Sequence, residues 1–296
     1  MSSARAAVVG VGAIGSVFAV ALQETGRTPA VLCVRPGWRR AAVAGPDGQV
    51  TKLTAPLVTC PADAGGPADW ILLAVKAHQT EGAADWLAEL TGPGTSVLVL
   101  QNGIDHRDRV APLAGQATVV PTVIWCPVQP AGPALFRQLR QARLVVANDM
   151  HGRRVAELLA GSRVQVEMAD DLITAAWHKL TFNAVASLMA LPARTAAIFR
   201  EEAIARLAGR LAAECVAVGR AEGADLPDRV VTDVVARLAG RSADAGSSIL
   251  ADRLAGRRLE WEARNGIIQR LGARHGIATP VSDVIVPLLS ACGRDS

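Results

Sequence analysis

The chain has 296 residues, half of them hydrophobic and 20% charged, which excludes a disordered chain and makes two domains the default for this length. Its formal net charge of +4 is small and dispersed, so nucleic acid is not indicated as a partner, and the apolar runs are too short or interrupted for a membrane span. Five scattered cysteines without CxxC spacing argue against a disulfide scaffold or zinc site, and the N-terminus has no leader-like run, so a reduced, cytoplasmic protein is expected.

The first element is a buried strand, Ala6-Ala7-Val8-Val9, that turns through Gly10-Val11-Gly12-Ala13-Ile14-Gly15 into an apolar helix from Ser16 to Leu22. That order makes a seat for a dinucleotide. Gly10 allows the turn, Gly12 admits a pyrophosphate close to the backbone, Gly15 lets helix and strand pack closely, and the helix N-terminus offers N–H groups to phosphate. The second strand, Ala30 to Val34, ends at Arg35, with Arg39 and Arg40 close behind. An NAD site commonly carries Asp or Glu at this point, whereas arginine matches the 2′-phosphate of NADP. A solvated basic turn accounts for the same three residues and stays open.

Lys52 to Val58 reads as an additional edge strand, Trp70 to Val75 as a strand, Ala83 to Leu90 as a helix, and Val97 to Leu100 and Val119 to Ile124 as further strands. Such alternation predicts a parallel sheet with helices on both faces. From Pro127 to Val166 the pattern weakens, with Pro130 and Pro133 as breakers and Arg143 to Ala147 extended. After Asp170-Asp171 the periodicity turns helical over Leu172 to Met189, Glu201 to Glu222, Pro227 to Ala239 and Glu260 to His275; Asp171 is placed to cap the first of these, and Gly223 and Gly276 stop the second and the last. The expected architecture is a Rossmann-type dinucleotide-binding domain over 1–169 followed by an all-helical C-terminal domain over 170–296. Catalytic groups are expected in a cleft between the two.

Tyrosine is absent, so a proton donor must be lysine, histidine, cysteine or a carboxylic acid. Lys76 and Asn102 each follow an apolar strand, on the side of the sheet where nucleotides bind; a surface lysine and a Gly103 turn explain them equally well. In Trp177-His178-Lys179-Leu180-Thr181-Phe182-Asn183, Lys179 and Asn183 share one helix face, which Ser187 extends. A lysine in such apolar surroundings is costly unless a carboxylate or ligand compensates it. Ser248 and Glu260 follow in Ser247-Ser248-Ile249-Leu250-Ala251-Asp252 and Gly256-Arg257-Arg258-Leu259-Glu260. Capping serines and solvated charges are the local alternatives there.

Taken in order, these motifs resemble the ketopantoate reductase family, NADP-dependent enzymes that reduce 2-dehydropantoate to pantoate. The resemblance rests on Gly10 to Gly15, Arg35, Val75-Lys76-Ala77-His78-Gln79, Gln101-Asn102-Gly103, Trp177-His178-Lys179-Leu180 with Asn183, and the late Ser247 to Glu260 segment. It implies that Lys179 is the general acid and that Glu260 holds a substrate hydroxyl. It also implies that Lys76, Asn102, Asn183, Ser187 and Ser248 bind substrate, with Lys76 and Asn102 close to the nicotinamide. The implied partners are a small 2-oxo acid and a second copy of the chain, with no nucleic acid or membrane. The chain departs from the family where Ser187 replaces a second asparagine and Leu259 a threonine; Glu262 is retained, and the family's hairpin is indistinct over Gln129 to Leu144. These departures leave room for another branched 2-oxo acid as substrate, or for a non-catalytic NADP-binding regulator.

Overall fold

The computed structural model describes residues 4–27, 29–38 and 41–292. The chain divides into two compact units, Met1–Leu172 and Ile173–Ser296. The first unit runs β1 (Ala6–Val9), α1 (Ala13–Glu24), β2 (Val31–Cys33), β3 (Ala42–Ala44), β4 (Val50–Lys52), β5 (Leu57–Val58), β6 (Trp70–Leu73), α2 (Ala84–Leu90) and β7 (Ser96–Val99). It continues with α3 (His106–Val110), β8 (Thr118–Val120), β9 (Val123–Trp125), β10 (Val128–Gly132), β11 (Leu135–Gln138), β12 (Ala142–Ala147), α4 (Met150–Leu159) and β13 (Val164–Ala169).

The central sheet has six strands in the order β5-β2-β1-β6-β7-β8, all parallel. Its residues alternate between two cores: Ala6, Val8, Leu72 and Leu98 pack on one face with Phe18 and Leu22 of α1, while Ala7, Val9, Ile71, Leu73, Val97 and Val99 pack on the other with Leu87 and Leu90 of α2. Burial of both faces is why these strands read as unbroken apolar runs. The strand order is that of a doubly wound dinucleotide fold, in which ligands lie beyond the strands' carboxyl ends.

Three sequence-based expectations are corrected here. Lys52 to Val58 is not one edge strand: β4 pairs antiparallel with β3, and the chain then passes Pro56, whose carbonyl accepts from Leu32, so that β5 alone joins the parallel sheet beside β2. Val119 to Ile124 likewise splits at Pro121, which ends β8 and sends β9 into a separate three-stranded sheet in the order β13-β12-β9. The hairpin that is indistinct in the sequence is formed, by β10 and β11 in the sheet β10-β11-β3-β4. Pro130 fits because β10 is an edge strand, where a missing N–H interrupts no ladder.

The second unit is helical: α5 (Leu172–Ala186), α6 (Glu202–Ala221), α7 (Arg229–Ala239), α8 (Ser248–Leu254), α9 (Ile267–His275) and α10 (Pro280–Cys292). The sequence reading misses α8, which is short, and α10, which carries Pro287 in its interior. The buried Glu214 of α6 anchors α10 by accepting from Val281 N at 2.6 Å, Ser282 N at 2.9 Å and Ser282 Oγ at 2.7 Å. The expected helix from Glu260 opens instead with a π turn, Glu262–Gly266, in which the Trp261 carbonyl receives the N–H groups of Arg264, Asn265 and Gly266. Among the described residues no helix is long and apolar enough to cross a membrane.

Candidate active site

The glycine loop is shaped by what a side chain would strike. Gly10 has φ +91°, and a Cβ there would lie 2.6 Å from both Val75 Cγ1 and the Val75 nitrogen; at Gly15 a Cβ would lie 2.1 Å from the Gly10 carbonyl oxygen. Both glycines are therefore required by packing. Gly12 differs, because its backbone is extended and a Cβ would meet nothing within 4 Å. It also stands at the N-cap of α1 without a capping side chain, and no acidic residue occupies the first turn. Val11, Ala13 and Ile14 complete a loop whose open side faces uncapped helix N–H groups, the combination that receives a phosphate.

Arg35 is exposed just beyond β2, in a turn where its carbonyl accepts from Trp38 N at 3.2 Å. Trp38 in turn stacks on Phe136 of β11 with ring centroids 6.5 Å apart. Arg39 and Arg40 lie outside the described residues.

Lys76 follows β6, and Asn102 follows β7; both are half-buried. Their loops are tied together by Gln101, which is 4% exposed. Its Nε2 donates to Val75 O and to Thr80 Oγ1, each at 3.0 Å, while its Oε1 accepts from Arg109 Nη2 at 3.2 Å. Arg109 also donates to the Asn102 carbonyl at 3.2 Å and pairs with Asp105. Gly103 turns the chain with φ +106°. Beside this network, burial pushes the His106 imidazole down to about 4, helped by Arg109 and opposed by Asp105, so it is neutral at physiological pH. Sequence reasoning notes Gln101 only as part of a motif and misses Arg109; the polar strand end is the sole signal for either.

In the helical unit, Lys179 is half-buried on α5 and Asn183 is 7% exposed. Ser187 is fully buried, and its hydroxyl donates to the Asn183 carbonyl at 2.9 Å, in the tightened turn that ends the helix. Asn265, also fully buried, donates from Nδ2 to the Ala184 carbonyl at 3.2 Å. Ser248 is exposed at the start of α8, whose cap is the Ser247 hydroxyl. Glu260 is 6% exposed and Leu259 is fully buried.

One residue missed in the sequence joins this group. Arg264 is 2% exposed, and its Nη2 donates to Ser248 Oγ at 2.7 Å. Burial pulls its guanidinium below the ordinary arginine value, opposed by the carboxylates of Glu260 and Asp252. Asp252 also accepts from Arg257 Nε at 2.8 Å. The one available signal is an arginine inside the otherwise apolar inner face of a helical pattern.

Family models match both units: ketopantoate reductase PanE/ApbA over residues 6–149, and ketopantoate reductase PanE/ApbA C terminal over residues 171–292. The chain belongs to the ketopantoate reductase family. A 2-dehydropantoate 2-reductase of Mycobacterium tuberculosis is 41% identical over 285 residues, 96% of each chain. One from Caulobacter vibrioides is 38% identical over 290 residues, covering 96% of this chain and 98% of that protein. A crystal structure of a PanE/ApbA family ketopantoate reductase from Ralstonia eutropha superposes with a TM-score of 0.88 at 28% identity, over 97% of this chain and 98% of that one. Family membership makes the first unit an NADP(H)-binding Rossmann domain, and the open Gly12 face with its uncapped helix terminus fits that cofactor.

Proposed function

We infer that this ketopantoate reductase family member uses NADPH to reduce a 2-oxo acid to the 2-hydroxy acid, with 2-dehydropantoate as substrate and pantoate as product. The observation that carries the reading is the end-to-end match of both units to reductases of this kind. When bound, NADPH supplies the hydride for C2 of the oxo acid.

The chain's residues do the rest. Gly10, Val11, Gly12, Ala13, Ile14 and Gly15 receive the pyrophosphate, and Arg35 receives the 2′-phosphate. Lys76 and Asn102, held by the Gln101 network, serve the nicotinamide and the substrate. Lys179 stabilises the developing alkoxide and gives it a proton, while Asn183 on the same helix face orients the carbonyl. Ser187 acts through Asn183, because its one hydroxyl hydrogen is committed to the Asn183 carbonyl. Glu260 accepts the substrate's hydroxyl, and Ser248 holds its carboxylate. Residues 1–169 thus form the cofactor domain and 170–296 the substrate and dimerisation domain; the exposed Val284 and Leu288, one turn apart on α10, support a homodimer.

The test is NADPH consumption with 2-dehydropantoate beside 2-oxo acids that lack its hydroxyl, with light scattering for assembly. Turnover preferring the hydroxylated acid is expected. Failure to reduce any 2-oxo acid would overturn the reading.

A further inference from the structure

Arg264 is a cation placed where a helical unit ordinarily buries an apolar side chain. The π turn is what brings it there: one extra residue per turn shifts the inward positions, so that Ala263, Arg264 and Asn265 are buried in succession. Its Nη2 reaches Ser248 across sixteen residues of sequence, and its Nε is buried without a hydrogen-bond partner among the described residues. Two carboxylates balance its charge. These are Glu260 and Asp252, both buried, and Asp252 is shared with the more exposed Arg257.

The bond to Ser248 has a directional consequence. Guanidinium N–H groups only donate, so the Ser248 oxygen must accept, and its own hydrogen is turned away from Arg264. Ser248 is exposed, so that hydrogen is presented outward. A hydroxyl that accepts from a cation is also a stronger donor on its other side.

Building on the reductase reading above, we propose that Arg264 is a positioning residue for substrate capture: it sets Ser248 as a hydrogen-bond donor to the carboxylate of the 2-oxo acid. It touches neither the cofactor nor the reacting carbon. Its effect therefore falls on substrate capture through the carboxylate that every 2-oxo acid carries.

The test is a double-mutant cycle with Arg264→Met, Ser248→Ala and the double variant. KM and kcat are measured for 2-dehydropantoate and for the analogue without the hydroxyl, and calorimetric binding of both acids is measured in the presence of NADP. Arg264→Met is expected to raise KM roughly tenfold or more for both acids with a much smaller change in kcat, as for loss of a charge-assisted contact. In the Ser248→Ala background the same replacement should cost clearly less, since the two act in series. Thermal unfolding reports on the integrity of the fold, and if Arg264→Met does not fold, Arg264→Lys takes its place in the cycle, keeping the charge without the fork that reaches Ser248. Additive losses, or a loss confined to the hydroxylated acid, would overturn the proposal while leaving the reductase reading intact. Coupled binding without turnover would sustain Arg264's role and overturn the reductase reading, and a wild-type protein that binds neither acid would overturn both.

Discussion

Replacing Gly12 and Gly15 separately by alanine distinguishes a glycine kept for a ligand from one kept for the fold. At Gly15 the new Cβ would stand 2.1 Å from the Gly10 carbonyl oxygen, inside the 3.0 Å that Cβ atoms essentially never cross. The loop or helix must retreat by roughly 1 Å, at a cost of about 1–3 kcal/mol or more. At about 2–4 °C per kcal/mol, Gly15→Ala should lower the Tm by several degrees. At Gly12 the backbone is extended, with φ −80°, and the Cβ has open space. Gly12→Ala should leave the apo Tm unchanged or raise it, because a restricted unfolded chain is worth about 0.4–1 kcal/mol. Its NADPH affinity should nevertheless fall at least about tenfold, or roughly 1.4 kcal/mol, as the methyl occupies the pyrophosphate's approach. Thermal unfolding without ligand and fluorescence titration with NADPH read the two quantities separately. Wild-type NADPH affinity in Gly12→Ala would refute the placement of the pyrophosphate, and wild-type stability in Gly15→Ala would refute the packing argument.

Arg35→Ala should weaken NADPH by about 1.5–3 kcal/mol and leave NADH nearly untouched, as direct titrations with both cofactors will show; equal losses would remove the 2′-phosphate contact. Lys179→Ala should slow hydride transfer about a hundredfold or more in stopped-flow NADPH oxidation, whereas Glu260→Ala should chiefly impair substrate binding; unchanged chemistry in the first or unchanged binding in the second would reject that assignment. His106, neutral when buried and held down to about 4, binds fewer protons folded than unfolded as pH falls below the ordinary histidine value of 6.5. Stability should therefore be present in full above about pH 6.5 and decline as pH falls toward 4, by up to about 3 kcal/mol from this residue. Denaturant unfolding across that range should show the decline in the wild type and a flatter acid limb in His106→Gln.

Much of this protein is legible in the chain order of its residues. Unbroken apolar runs such as Ile71 to Leu73 and Val97 to Val99 announce strands buried on both faces, and the Gly10 to Gly15 spacing announces the turn between β1 and α1, because these features depend on neighbours in sequence. Lys179 and Asn183 share a face for the same local reason. What tertiary structure alone decided is wherever distant segments compete for one strand edge or one buried charge. Pro56 and Pro121 divide runs that look continuous, and the β10–β11 hairpin exists because β3 gives it a partner about ninety residues earlier in sequence. The π turn that buries Arg264 beneath Ser248 is of this second kind: an arginine within the apolar face of a helical pattern is no more than an oddity in the sequence, and the carboxylates of Glu260 and Asp252 that offset its buried charge come together with it only in the fold.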